Sequence, residues 1–416
     1  NIINHSKVLF FLKNILSTFH PLPRGVFAVS LFGLFLGAST TMVYSNLGMF
    51  MKYELHATEA TIASIDGIVE SIAYIVRIFS GAISDYFMNR KFILLVGCVI
   101  SLFTKPLFGI AQSSLMILFA QSVERIGNGL QAVPRDALIA DLSSKSNRGQ
   151  SFGFSKSLKT VGSTLGTCIG MGIMLLTCNN YRMVFFCSTI AVIIAICLLY
   201  KVKTPQELRN EKNEKKSREK IENPFQKKYL KSLDKHFWKL LALALIFEMG
   251  HFSESLFPIL ASEFTSVGTS GSASMFISIG QVLCSYPIGL YADRFGKAKF
   301  IIVCILMMVA ANLFFLFATS ITFIYIGTFF WGGQMTAVQG LFLSLITDRV
   351  DSHLRGTAIG VYYCTIGLSF FVSSFIAGNI WHSYGHNFAF IYSILFCCLS
   401  LLVFNILLPK KYEARS

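Results

Sequence analysis

The chain has 416 residues, 54% of them apolar, and its 36 Lys and Arg and 21 Asp and Glu make up only 14%, against about 25% in an ordinary soluble domain. Residues 201–239 hold 13 basic and 6 acidic side chains of a chain whose net charge is +15, which leaves 38 charges for the other 377 residues. That composition excludes a water-soluble enzyme, and basic residues gathered between apolar runs argue for contact with anionic headgroups and against nucleic acid as a partner.

A helix crosses a hydrocarbon core of about 30 Å with about 20 residues. Runs of that length predict twelve helices, at approximately 25–50, 58–83, 91–112, 114–137, 150–177, 181–202, 237–261, 270–292, 299–318, 321–346, 355–379 and 386–409. The expected fold is therefore an all-α polytopic membrane protein; the alternative, a closed barrel, needs alternating ten-residue strands that the sequence lacks. No cleavable leader is expected, because further spans follow the first apolar run. The ten cysteines sit almost entirely in apolar runs without a CxxC pair and read as small buried hydrophobes.

Taken in chain order, the second helix carries Asp66, Glu70 and Arg77, spaced four and seven apart and so on one side. The third carries Lys105 followed by Pro106, which removes a backbone donor and predicts a kink toward the interior. In the fourth, Glu124 and Arg125 point about 100° apart and need not pair with each other. Arg125 falls near mid-membrane, where an unpaired charge costs at least about 2.5 kcal/mol, so it is expected to face the bundle interior and find a partner. The fifth repeats Gly162, Gly166 and Gly170 at four-residue steps, a close-packing pattern. A charged stretch follows, expected to lie on headgroups and to be partly helical along Glu207–Lys220. The seventh helix places Glu248, His251 and Glu254 within an arc of roughly 120°. Residues 300–347 hold no charge and must contain two spans, broken near 318–322.

Lys and Arg in the short connections lie overwhelmingly on one side, with only Lys52 and Arg182 on the other. Both termini and the 203–236 segment are therefore expected to be cytoplasmic. The stretch Leu138 to Asp141, with Arg148, Gly149 and Gly153, recurs as Leu345 to Asp348, with Arg355, Gly356 and Gly360, each offset by 207; Gly81 and Asp85 recur as Gly289 and Asp293, offset by 208. Two landmarks in agreement across six spans predict a duplicated six-helix unit in parallel orientation. The expected domains are an N-terminal bundle over 1–202, a basic linker over 203–236 and a C-terminal bundle over 237–416.

The stretch Gly289-Leu-Tyr-Ala-Asp293-Arg294-Phe-Gly296-Lys297-Ala-Lys299 resembles the signature loop of the major facilitator superfamily, between the second and third helix of a half. Its first-half counterpart, from Gly81 through Asp85 to Arg90 and Lys91, departs from the pattern at Tyr86 and Met88. The resemblance covers the chain from about Arg24 to Pro409. It implies the two-bundle fold and a gate built on Gly81, Asp85, Arg90, Gly289, Asp293, Arg294 and Gly296; a helix cap is the alternative role for Asp85 and Asp293. Arg125-Ile-Gly-Asn128-Gly129 resembles the family's second motif, whose Arg is linked to proton coupling, although a structural interhelix pair explains Arg125 equally well. The glycines of helix five are similar to the family's antiporter motif but lack its Pro at Thr167 and its last Gly at Met171, so antiport is not inferred.

The resemblance also places helices one, four, seven and ten around a central cavity, where Tyr44, Asn46, Phe252, Gln334 and Gln339 become candidate substrate contacts, with Tyr362 and Tyr363 on helix eleven as further candidates. Asp66 and Lys105 join this cavity set from their spacing. Burial favours the neutral form of a carboxyl, which makes Glu70, Glu124 and Glu248 the candidate proton carriers, with Arg125 in the same set and His251 as a relay. Asp66 and Glu254 have a solvated rim position as their alternative, and Arg77 a snorkelling structural one. The mixed cavity suits a zwitterionic or amphipathic organic solute. The expected function is thus a secondary transporter in a bacterial inner membrane that works by alternating access. It is expected to be proton-coupled and monomeric, to need no cofactor, and to have no catalytic or metal site. Glu248 with His251 also permits a metal-ion or metal-chelate transporter, and a channel, a lipid-moving protein or a ligand sensor of the same fold stays open.

Overall fold

The computed structural model describes residues 23–87, 90–143, 148–202, 233–348, 350 and 355–407, and no strand occurs among them. The first half consists of α1 (Arg24–Tyr53), α2 (Glu59–Phe87), α3 (Arg90–Ile110), α4 (Ser114–Leu142), α5 (Arg148–Leu176) and α6 (Tyr181–Lys201). The second comprises α7 (Lys235–Glu248), α8 (Leu256–Ala261), α9 (Ser272–Phe295), α10 (Lys297–Leu316), α11 (Ile321–Thr347), α12 (Arg355–Tyr384) and α13 (His386–Leu407), with one 3₁₀ turn at Val267–Thr269. Nine helical segments among the described residues are long and apolar enough to cross a membrane. α2 and α4 are not among the nine, although each has 29 residues, since both carry ionisable side chains. Large apolar side chains such as Phe103, Leu115 and Leu402 are more than 60% exposed, which fits a hydrocarbon solvent and not water.

Each predicted range coincides with a helix except the seventh. In place of one helix over 237–261, α7 stops at Glu248, residues 249–255 leave the helix, and α8 resumes at Leu256. Pro258 explains the interruption: it has no N–H to bond the carbonyl of Glu254 and its ring would clash there, whereas in the first turn of α8 neither matters. Two carbonyls freed by the break are recovered by serines, Ser373 Oγ donating to Met249 O at 2.6 Å and Ser393 Oγ to Gly250 O at 2.7 Å. Most of the expected linker, residues 203–232, lies outside the described residues. Pro106 sits inside α3 without ending it.

Small residues let backbones touch. A Cβ added at Gly162 would lie 2.1 Å from Leu34 O, and one at Gly166 would lie 2.2 Å from Ala38 O, so α5 packs directly on the α1 main chain. In the second half Gly280 and Gly332 do the same between α9 and α11, at 2.1 Å from Phe329 O and 2.0 Å from Ile277 O.

The duplication is visible as a repeated ion pair. Arg90 at the start of α3 meets Asp141 near the end of α4, and 207 residues later Lys297 at the start of α10 meets Asp348 at 2.6 Å, just past α11. Both pairs mark the end of the molecule that carries most of the basic residues, the basic face. Gly296, at φ +100°, turns the chain from α9 into α10 in a conformation that L side chains rarely adopt.

The halves meet along α2 and α12. Ser71 Oγ donates to Gly367 O at 2.6 Å, and the Tyr74 and Tyr363 rings stack at 5.8 Å. At the far face, opposite the basic one, a Cβ at Gly48 would lie 2.5 Å from Ser255 O, Tyr53 bonds Ser262 at 3.3 Å, and His382 approaches Glu59, which also holds Lys52 at 2.9 Å. At the basic face a cavity of about 280 Å³ is lined by Lys156 of the first half and by Ser285, Gly289, Lys297, Gly340 and Ser344 of the second.

Candidate functional site

Two charge clusters are built on α2 and α4, the long helices that fall short of a fully apolar span, with Lys105 reaching in from α3. In the first, Lys105 of α3 and Glu124 of α4 form an ion pair at 2.9 Å with both side chains 1% exposed. Thr104 Oγ1 donates to the same carboxylate, as does Ser101 Oγ at 3.4 Å, and Asn128 Nδ2, one turn further along α4, reaches it at 3.5 Å. Taking two charges out of water is costly, and direct pairing with further hydrogen bonds is what makes it tolerable. Glu124, expected as a proton carrier, is thus engaged inside the first half.

The second cluster borders open space. Arg125 Nη2 binds Glu70 Oε2 at 3.1 Å, with the two side chains 28% and 22% exposed, and the guanidinium sits 4.6 Å from the centre of the Tyr44 ring. The expected partner of Arg125 is therefore Glu70, brought across from α2. Tyr44 also stands 5.9 Å from Lys105 Nζ and so touches both clusters. Four residues before Glu70, Asp66 accepts from Gln121 Nε2 of α4 at 3.3 Å and from Ser253 Oγ in the broken seventh helix. Asp66 is therefore bonded across the two halves, where the sequence left a solvated rim position open.

From the second half, the break presents Glu248, His251 and Glu254. His251 Nδ1 lies 3.5 Å from Glu248 Oε2, and its Nε2 is 2.8 Å from Gln334 Nε2 of α11. An amide nitrogen only donates, so with the amide in this orientation His251 Nε2 accepts and the ring proton is on Nδ1, facing Glu248. Phe247 and Trp331 wall the imidazole edge-on at 4.9 and 5.5 Å. Gln339 Nε2 donates to the Tyr74 hydroxyl at 2.9 Å, a second bond between the halves.

The other candidates fall elsewhere. Asn46 bonds Met42 O and Ser45 within α1 and abuts Gly170 of α5, a packing position. Phe252 is fully buried in an aromatic cluster with Phe257, Trp331, Trp381 and Phe390 of the second half. Arg294 is exposed at the end of α9 and Gly296 is the turn that follows. Gly81, Asp85 and Asp293 lie in helices, but their side chains, like that of Arg77, are outside the described set. Of the gate, the described side chains show Arg90 and Lys297 engaged with the acids at 141 and 348. Sequence reasoning missed Gln121, Ser253, Thr104 and Tyr74. Gln121 had a signal, because it precedes Arg125 by one helical turn; the hydroxyls had none. No group of three or more His, Cys, Asp or Glu suited to a metal ion occurs among the described residues.

Comparison with known proteins agrees with this architecture. The profile of the Major Facilitator Superfamily matches residues 29–257 and again 253–416, one match per half. An uncharacterised MFS-type transporter of Methanocaldococcus jannaschii is 24% identical over 328 residues, covering 77% of this chain and 79% of its own length. An uncharacterised protein of Mycobacterium tuberculosis is 23% identical over 353 residues, covering 82% and 83%. Among solved structures, the nucleoside transporter NupG superposes with a TM-score of 0.72 at 12% identity over 92% of this chain and 98% of that one. A D-xylose-proton symporter does so with 0.67 at 16% over 92% and 96%, and a peptide transporter POT bound to sulfate with 0.74 at 12% over 93% and 94%. At these identities the superpositions speak for the fold alone; the family and its neighbours are membrane transporters and not enzymes. With one profile match falling on each copy of the repeat, the chain belongs to the Major Facilitator Superfamily of secondary transporters.

Proposed function

We propose that the protein moves a small organic solute by alternating access and couples that movement to protons, with the basic face, both termini and the 203–236 linker on the cytoplasmic side. The reading rests on one observation: an ionisable cluster of Asp66, Glu70, Arg125, Glu248 and Glu254 sits where two bundles meet, beneath side-chain bonds that join the halves toward the far face. Opening the far face must break Asp66 with Ser253, Tyr53 with Ser262 and Glu59 with His382. Among the described side chains Arg125 is the cation facing this cluster, so its carboxyls exceed its bases, and a carboxyl without a counter-charge in a membrane interior takes up a proton. Glu70 and Glu248 are the carriers this arrangement supports best, with His251 beside Glu248.

The test is flux in proteoliposomes. Solutes that stabilise the purified protein are loaded outside vesicles with and without a pH gradient. Accumulation is expected to follow the gradient, to collapse with a protonophore and to be lost in Glu70→Gln. Flux indifferent to the gradient, to the protonophore and to Glu70→Gln combined with Glu248→Gln would mean a channel or a lipid-moving protein. Binding without flux would mean a sensor.

A further inference from the structure

We propose that the basic-face cavity is a binding site for a small water-borne organic anion, whose carboxylate or phosphate is held between Lys156 of the first half and Thr336 and Lys297 of the second. The site goes beyond the transporter reading and does not depend on it.

The shape of the cavity points there first. It has a volume of about 280 Å³, with Lys156 of α5 on its first-half side and Lys297 at the start of α10 on its second-half side. Between them, four-residue steps put Ser285 and Gly289 on one face of α9, and Thr336, Gly340 and Ser344 on one face of α11. Gly280 and Gly332 on the same two helices are filled by close backbone packing, but a Cβ added at Gly289 or Gly340 would meet nothing within 4 Å. These two glycines therefore leave room where the others make contact. Ala337 and Leu341, buried in the core of the second half, complete the lining and set the cavity into the protein.

Charge and hydrogen-bond capacity give the sign of the ligand. The lining has two ammonium groups and no carboxylate. Its helices bring almost none: α5, α10 and α11 hold no Asp or Glu, and α9 holds only Asp293, followed at once by Arg294. Lys297 spends two of its three ammonium hydrogens on Ser344 and on Asp348 and keeps one. Lys156 has no ion pair or side-chain hydrogen bond among the described residues, and neither has the Thr336 hydroxyl. A cation entering here adds like charge to two ammonium groups, and a neutral solute leaves Lys156 without a counter-charge. A carboxylate or phosphate supplies acceptors for Lys156, Thr336 and the remaining hydrogen of Lys297 together, in charge-assisted bonds. A phospholipid phosphate has the same chemistry, so the two sources are separated in the test.

The test is equilibrium binding to the full chain in a maltoside detergent, which carries neither charge nor phosphate, and it needs no transport. Glutarate is compared with 1,5-pentanediol and cadaverine, and glycerol 3-phosphate with glycerol. At least one anion is expected to bind about tenfold tighter or more than its neutral match, the range of a charge-assisted hydrogen bond, and cadaverine no tighter than the diol. That preference is expected to vanish in Lys156→Gln and to persist in Lys156→Arg. It is also expected to vanish in Gly340→Leu, which fills the cavity and keeps both lysines. Lys201→Gln, an exposed cation ending α6 outside the cavity, removes the same charge from the molecule and is expected to leave the preference intact. The melting temperature without ligand and the elution profile of each variant separate lost recognition from lost folding. No anion preference, a preference that survives in folded Lys156→Gln, or one lost equally in Lys201→Gln would overturn the proposal. So would stabilisation by added phosphatidylglycerol with neither soluble anion bound, which would make this a lipid site. Anion binding without flux would leave the proposal standing and refute transport; proton-driven flux with no anion preference would do the reverse.

Discussion

The sharpest energetic claim is that the Lys105–Glu124 pair is asymmetric, and single substitutions on either side should reveal it. Both side chains are 1% exposed, so removing one partner strands a buried charge, at about 3–5 kcal/mol. The two strandings differ. After Lys105→Ala, Glu124 keeps three donors, from Thr104, Ser101 and Asn128. After Glu124→Ala, the ammonium is left with the Tyr44 and Phe108 rings at 5.9 and 6.0 Å and no carboxylate or hydroxyl shown bonded to it. Lys105→Ala is expected near the lower bound of about 3 kcal/mol and Glu124→Ala near the upper bound of about 5 kcal/mol. At roughly 2–4 °C per kcal/mol for a unit the size of one bundle, the melting midpoint in detergent should fall by about 10 °C for the lysine and further for the glutamate. The apolar double variant Lys105→Met with Glu124→Leu should recover most of that loss, since a buried pair replaced by packed hydrocarbon is close to neutral. Equal shifts for the two alanine variants, or a double variant that loses the sum of both, would refute the reasoning.

Two further outcomes follow from packing and from the interhalf contacts. Gly162→Val should abolish folded expression, because its Cβ would already lie 2.1 Å from Leu34 O, whereas Gly153→Ala, with nothing within 4 Å, should be silent in the same size-exclusion assay. Ser253→Ala removes a hydrogen bond to a carboxylate across the halves, worth about 1.5–3 kcal/mol. In a cysteine-free background a reporter at Ser262→Cys should then react with a membrane-impermeant maleimide about tenfold faster or more, and an unchanged rate would show that the bond does not hold the far face shut.

Much of the fold was legible because lipid imposes length and apolarity at once, so eleven of the twelve ranges read from the sequence each fall on one helix and the seventh falls on two pieces with a break between them. The 207-residue offset of Asp141 and Asp348 was also legible, and the structure gives it a physical content as the acid of a repeated ion pair. The site was only half legible. Spacing along one helix tells which residues share a face, as for Asp66 and Glu70, but not which helix stands opposite. Lys105 and Glu124 therefore read as separate candidates and prove to be one pair, and Arg125 had a required but nameless partner. The break before Pro258 went unread because the apolar run continues across it, and Ser253 was invisible for the same reason: a serine in a continuous helix has no cause to cross to the other bundle.

That interruption alters what moving the second bundle must cost. A rigid rod pivoting at mid-membrane would have to stretch its own ladder of main-chain bonds, each of them shielded from any replacement by water. Here the ladder is already interrupted over seven residues, and the oxygens of Met249 and Gly250 are held by the buried hydroxyls of Ser373 and Ser393 in its place. The six-residue segment beyond, Leu256–Ala261, is fully buried, so the joint before it lets two packed pieces of one span be held by different neighbours without a continuous ladder between them.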